Sequence, residues 1–359
     1  MVYFINNENV ENIFTKGQEG DFYFCQKDFS EELINKYNSK CFPVFIFNEC
    51  SYPKTLKEGK YDVVYLHDYD KGKVYRRTKL LNFLRNKFNI LDVDYSDLED
   101  PANKEILKNT LDNNPIVLLS GFETYMAYLS IEDLNNISRV IYDKYDSCEN
   151  DKDIQEKANL CIASSYELLE NELVFAKKKI YIPNGCDVQK YKVLDKYNQK
   201  TAVYTGYNLR KVDFNILALL KAVNPNWIFK IYGDEKLIKE LELKEKYPDL
   251  EFCDFLDSSK LIEEISKCHI GLNLIEYNDY TKGQLSDKFF NYCNAHIPTL
   301  IYEEFKDNYR DYEKLVKIFD FSELNLDKYI EEKIPDEEYD KVLQDCDWNK
   351  RFEKLLEYI

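Results

Sequence analysis

Residues 286–302 read SDKFFNYCNAHIPTLIY. The first half has the composition of a short helix, a turn follows at Asn294 to His296, and a buried strand begins near Pro298. Ser286 is the expected cap, with Asp287 in the first turn. Phe289, Phe290 and Cys293 supply packing, whereas Lys288 and Asn291 are three apart and share a helix face. A cation near a helix start suits an anionic ligand, and an amide one turn on suits a hydroxyl. The stretch therefore reads as a helix that shows one polar face to an opening and leads at once into a core strand. That is the repeating unit of an α/β layer.

The same unit recurs upstream. TAVYTG (201–206) is a strand into a glycine turn, VDFNILALLKAV (212–223) a helix, and WIFKIYG (227–233) a strand ending in glycine. LEFCDFL is a further strand, SSKLIEEISKC (258–268) a helix capped by Ser258 or Ser259, and HIGLNLI (269–275) a strand. The first half carries apolar runs of strand length at 43–47, 61–66, 88–94, 115–119, 139–143, 160–164 and 179–183. Helical periods at 76–88 and 164–176 separate some of them. Continuous apolar runs suit strands covered on both faces, so the alternation predicts parallel sheets clothed in helices.

Between the two series, CDVQKYKVLDKYNQK (186–200) is polar and without period, and reads as a link. The expected fold class is α/β, with two Rossmann-like domains facing across a cleft. The first spans 1–185, the second 186–340, and 341–359 forms a terminal helix. The tail from about 309, including YEKLVKIF, reads as helical. In DWNKRFEKLLEYI, Trp348, Phe352, Leu355 and Ile359 share a face, which predicts a docked helix; with the two-domain fold, it is expected to pack back toward the N-terminal domain.

The 359 residues suffice for two cores, and 44% hydrophobic with 32% charged residues is a globular composition. The formal charge of −17 disfavours nucleic acid and anionic lipid as partners. No export signal and no run of membrane-spanning length is present, and the ten cysteines form no CxxC pair, so a cytoplasmic protein with free thiols is expected. The three histidines lie far apart, which argues against a metal site. Asp68 and Asp70 in HDYD read as a turn rather than as metal ligands, and His67 and Glu123 follow strands at the same sheet end. No GxGxxG follows a strand, which disfavours a dehydrogenase.

In open parallel sheets ligands bind beyond the carboxyl ends of the strands. The candidates there are Gly206, Arg210 and Lys211 after one strand, Gly233 after the next, and Lys282, Lys288 and Asn291 in the loop and helix after a third. Glycine admits close approach, and the cations suit a diphosphate. Asp143 and Asp146 end a strand of the first domain, where either could orient an acceptor hydroxyl or take its proton.

Several of these segments form an ordered set: YIPNGCD (181–187), YTG (204–206), IYGD (231–234) and TKGQLSDKFFNY (281–292), preceded by RVIYDKYDS and NLCIASSYELLE and followed by DWNKRFEKL. The set, over about residues 135–359, resembles glycosyltransferases of the two-Rossmann-domain GT-B type. Within that type it is similar to family 4 or family 1 enzymes of bacterial cell-surface polysaccharide, including teichuronic-acid-type transferases. The resemblance implies a nucleotide diphosphate sugar as co-substrate, UDP-sugar favoured, with no tightly bound cofactor and no metal requirement. It implies a glycan, lipid-linked or protein acceptor, and leaves room for a protein partner. Lys288 and Asn291 would line the diphosphate and ribose, Lys282 would reach phosphate, and Gly206 would lie under the diphosphate. The family's helix carries Glu where Asn291 stands, and its second acid falls at Gly283. Those departures motivate the alternative, a binding or scaffold protein that keeps the fold without transfer.

Overall fold

The computed structural model describes residues 2–5, 21–25, 44–47, 55–67, 75–121, 130–148, 150–188, 194–206, 208–254, 256 and 258–359. The chain forms two compact units, one of residues 1–57 with 96–107 and the other of 58–95 with 108–359. In the first unit, strands β1 (Val2–Ile5), β2 (Asp21–Cys25) and β3 (Val44–Phe47) pair in parallel.

The second unit holds two six-stranded parallel sheets facing across a cleft. The N-terminal sheet contains β4 (Val63–His67), β5 (Ile90–Asp94), β6 (Ile116–Ser120), β7 (Val140–Lys144), β8 (Leu160–Ala163) and β9 (Lys179–Tyr181), in the order β5-β4-β6-β7-β8-β9. The C-terminal sheet contains β10 (Thr201–Thr205), β11 (Ile228–Tyr232), β12 (Glu251–Cys253), β13 (Ile270–Asn273), β14 (Thr299–Ile301) and β15 (Val316–Ile318), in the order β12-β11-β10-β13-β14-β15. Every residue of β4, β7, β8, β10 and β13 is buried, as parallel strands covered on both faces require.

Five helices frame the cleft and its supports: α1 (Tyr75–Arg85), α2 (Phe214–Val223), α3 (Asp287–Asn294), α4 (Asp336–Asp345) and α5 (Trp348–Glu353). Helix α3 is locked to the sheet by Tyr292, whose hydroxyl lies 3.0 Å from the Leu272 carbonyl and accepts from Thr205 N–H at 3.2 Å. Gly271 leaves the space that the Tyr292 ring fills. Helix α5 brings Trp348, Phe352 and Leu355 into the core of the N-terminal sheet, beside Tyr65, Phe83, Leu118 and Ile141. The terminal helix thus packs back on the N-terminal lobe, as expected.

Two local expectations differ from the structure. YEKLVKIF is not helical: Val316–Ile318 is the edge strand β15, paired with β14, while Tyr312 and Leu315 are buried. An available strand edge outweighs weak helical periodicity in so short a segment. The helix expected over 164–176 is reduced to a π-helical turn, Leu168–Glu172, whose entry is held where the Glu167 N–H donates to Asn308 Oδ1 at 3.0 Å.

Candidate functional site

The C-terminal sheet runs outward in both directions from the β10/β13 pair, so its topological switch point lies there. The chain leaves β10 at Gly206 and β13 toward the loop that ends in α3. An antiparallel bridge between Val212 and Ile275 ties these two exits together. The Glu276 N–H adds a bond to the Lys211 carbonyl at 2.9 Å. The loop beyond is pinned by Thr281, which bonds the Glu276 carbonyl and accepts from Asn278 N–H at 2.9 Å, and by Asn308 Nδ2 donating to the Lys282 carbonyl at 2.8 Å.

Lys288 lies in this crevice, half-buried on the first turn of α3. Its ammonium stands 5.2 Å from the centroid of the Tyr204 ring and donates to Ser286 Oγ at 3.2 Å. Ser286 is the residue before α3, yet its hydroxyl makes no capping bond; it serves Lys288 instead. Gly206 makes the room: a Cβ there would stand 2.8 Å from Lys288 Cε and 2.9 Å from the Tyr204 hydroxyl. The Gly206 amide itself donates to the Tyr232 carbonyl at 3.0 Å, so this glycine contributes space rather than a donor. Desolvation pushes the Lys288 ammonium down to about 8, with Asp287 opposing and Lys211 adding to the depression. A desolvated ammonium whose pKa a second lysine lowers further suits a ligand of high negative charge.

The other expected residues divide between the rim and the crevice. Arg210 is exposed and pairs with Glu240 at 3.1 Å. Gly233 faces Leu209, whose Cδ1 would lie 2.6 Å from an added Cβ. Lys282 is half-buried in the same loop, 3.4 Å from Asp279. Asn291 lies one turn beyond Asp287 on α3, half-buried, and its side chain makes no hydrogen bond to a described residue.

Across the cleft, Asp143 and Asp146 have different surroundings. Asp143 is fully buried, with Arg76 donating to both carboxylate oxygens at 2.8 and 3.2 Å and Ser120 Oγ at 3.4 Å. Arg76, also buried, further reaches the Ile182 carbonyl at 2.9 Å. Asp146 is an exposed residue; the protein packed near its carboxyl raises its pKa by desolvation, against the pull of Lys211 and Arg77. Gln284 of the opposite lobe approaches Asp146 Oδ1 at 3.5 Å. His67 is held by Asp92 at 2.6 Å. Asp68, Asp70 and Glu123 lie outside the described residues. Among the described residues no group of three or more His, Cys, Asp or Glu is arranged to hold a metal ion, and no helix is long and apolar enough to cross a membrane.

Arg76, Arg77 and Gln284 were not anticipated. A signal for the first two was available: paired arginines at the start of a helix oppose its dipole, so a local partner is implied.

Gly283, where the resemblance would put an acid, lies against residues of the N-terminal lobe. A Cβ there would stand 2.6 Å from Leu168 Cδ2 and 2.7 Å from Ser147 Oγ. Gly283→Ala should therefore destabilise the chain by about 1–3 kcal/mol through overpacking. The thermal midpoint reads it, and an unchanged midpoint would contradict this closeness.

No family model and no curated protein matches the chain. Solved structures do. HepE of Anabaena, in complex with UDP and glucose, is 11% identical over 82% of this chain and 98% of that one, with a TM-score of 0.60. An α,α-trehalose-phosphate synthase (UDP-forming) from Burkholderia vietnamiensis is 7% identical over 82% and 98%, at 0.57. TarM is 12% identical over 71% of this chain, at 0.54, and the chain spans only 58% of TarM's length. At such identities the likeness is one of fold, and with the two facing sheets it establishes the GT-B architecture for this chain.

Proposed function

We propose that the protein is a glycosyltransferase of the family 4 or family 1 kind, moving a sugar from a nucleotide diphosphate sugar to a hydroxyl acceptor. UDP is the favoured nucleotide, since UDP is named with HepE and with the trehalose-phosphate synthase. The acceptor is a glycan, lipid-linked or protein precursor, and the reaction is cytoplasmic. The lobe of residues 1–185 serves the acceptor, and that of residues 186–340 the donor. The observation that carries the reading is Lys288 held against Gly206 and Tyr204 at the switch point of the C-terminal sheet, with Lys211 near enough for its charge to lower the Lys288 pKa.

In the reaction the bond from the anomeric carbon to the diphosphate oxygen breaks, and a bond to the acceptor oxygen forms. Negative charge grows on the departing diphosphate, where Lys211, Lys288 and Lys282 stabilise it, so the proposal needs no resident metal or cofactor. Asn291 meets the ribose hydroxyls. Asp146 is the carboxylate that contacts the acceptor and takes its proton; Asp143 acts only by holding Arg76. Arg210 and Gly233 contribute at the rim and through packing.

Calorimetric titration with UDP tests the reading. Lys288→Ala should weaken UDP binding by at least about tenfold, the scale of a charge-assisted contact. Because the free ammonium titrates near 8, affinity should also fall as the pH rises through that value. Folded protein that binds none of UDP, GDP, ADP, CMP or dTDP would sink the proposal. The second reading, a nucleotide-sugar-binding scaffold partnering an active enzyme, is favoured by the non-acidic Gly283 and Asn291. It predicts UDP-sugar binding with neither hydrolysis nor transfer.

A further inference from the structure

Lys288 and its neighbour Asp287 differ in how their polar atoms are partnered. Lys288 lies against Gly206, Tyr204 and Ser286, all of the C-terminal lobe. Asp287 feels the charge of Lys288 first, then those of Arg76 and Asp146 of the N-terminal lobe. Just before it the Leu285 carbonyl accepts from Asn184 Nδ2 at 2.9 Å, and Arg76 reaches Asn184 Oδ1 at 3.5 Å. The Asp287 Oδ1 is buried and makes no hydrogen bond with any described residue. Arg76 does not neutralise it, since that guanidinium is committed to Asp143. A buried carboxylate oxygen without a donor is costly unless something supplies one.

From this unpartnered acceptor next to Lys288 we infer that Asp287 reads the hydroxyls of the group carried by the nucleotide, selecting a sugar nucleotide over the bare nucleotide diphosphate. The inference rests on the donor-site reading proposed for Lys211 and Lys288. If the diphosphate lies over Lys288, the transferred group lies beside it, and Asp287 is the adjoining α3 side chain with an unbonded, buried carboxylate oxygen. A carboxylate there repels further phosphate and accepts from hydroxyl groups, which a sugar presents in number. Neither Asn291 nor Gly283 provides such a negative acceptor. Three charged groups face Asp287: Lys288 beside it, and Arg76 and Asp146 across the cleft. Desolvation raises its carboxyl to about 6, so the accepting form predominates at neutral pH and is lost on acidification.

The test compares UDP with UDP-glucose, UDP-galactose and UDP-N-acetylglucosamine by calorimetry at about pH 7.5, a unit or more above the raised carboxyl range. At least one sugar nucleotide should bind the parent protein more tightly than UDP. Asp287→Asn, isosteric and gentle on the fold, should cut that ratio by about tenfold, because a charge-assisted bond is replaced by a weaker one. The ratio of the parent protein should likewise shrink at about pH 5, and that of Asp287→Asn should not. A ratio unchanged in Asp287→Asn, or no preference for any sugar nucleotide in the parent, overturns the inference while UDP binding stands. Absence of UDP binding overturns the donor-site reading itself, and the assignment of Asp287 with it.

Discussion

Arg76→Ala is expected to remove about 3–5 kcal/mol of stability, the scale for stripping one partner from a buried ion pair. Asp143 is fully buried, and the two charge-assisted bonds from Arg76, at 2.8 and 3.2 Å, are its main compensation. Without them the carboxylate keeps only Ser120 at 3.4 Å. The same substitution releases the Ile182 carbonyl, just past β9, so the loss spreads into the link between the lobes. Urea unfolding followed by far-UV circular dichroism measures it. The double variant Arg76→Met with Asp143→Leu should regain most of the loss, because both charges go together. If Arg76→Ala unfolds at the parent's urea midpoint, Asp143 does not depend on the guanidinium and its role must be sought in the cleft.

Trp348→Ala should cost a similar amount, about 3–5 kcal/mol, as for large aromatic truncations in well-packed cores. Trp348 is buried, stacks on Phe352 with ring centroids 5.5 Å apart, and lies where a Cβ on Gly185 would meet it at 3.1 Å. It therefore joins three parts at once: the terminal helix, the core of the N-terminal sheet and the link. Trp348→Phe should lose clearly less than Trp348→Ala, since a ring remains to stack. Equal losses would show that the stacking contributes little. The adjoining link is also held where Cys186 N–H donates to the Cys346 carbonyl at 2.9 Å, with the two sulfurs 3.2 Å apart.

The two positions illustrate different degrees of legibility. Trp348 belongs to an apolar face spaced at three and four residues, and such a face announces both helix and burial from local sequence alone. Arg76 carries no comparable local pattern. Its partner is 67 residues away, brought near only when α1 packs beside β7. Asp143 and Asp146 look alike as sequence, yet one is fully buried and the other opens to the cleft, because β7 ends between them.

The candidate site divides in the same way. Lys288 was legible as a cation on the first turn of a helix after a parallel strand, and Gly206 as a glycine at a strand end. What Gly206 does was not: its amide is already bonded to Tyr232, and its missing side chain accommodates Lys288. The absence of an acid at position 283 reads, from sequence, as a departure from a motif. In the structure it coincides with backbone meeting Leu168 and Ser147, where no side chain fits.

The sequence by itself determined the alternation of buried strands and helices, the doubling of that alternation about a polar link, and the apolar face of the terminal helix. These follow from periodicities set within a few residues, since burial on one or both faces constrains neighbours along the chain. The tertiary structure alone decided strand order, hence the switch point at β10 and β13, and which charges are paired, buried or left facing the cleft. Those depend on contacts between residues far apart in the chain, and a side chain's charge environment is fixed only by what packing brings beside it.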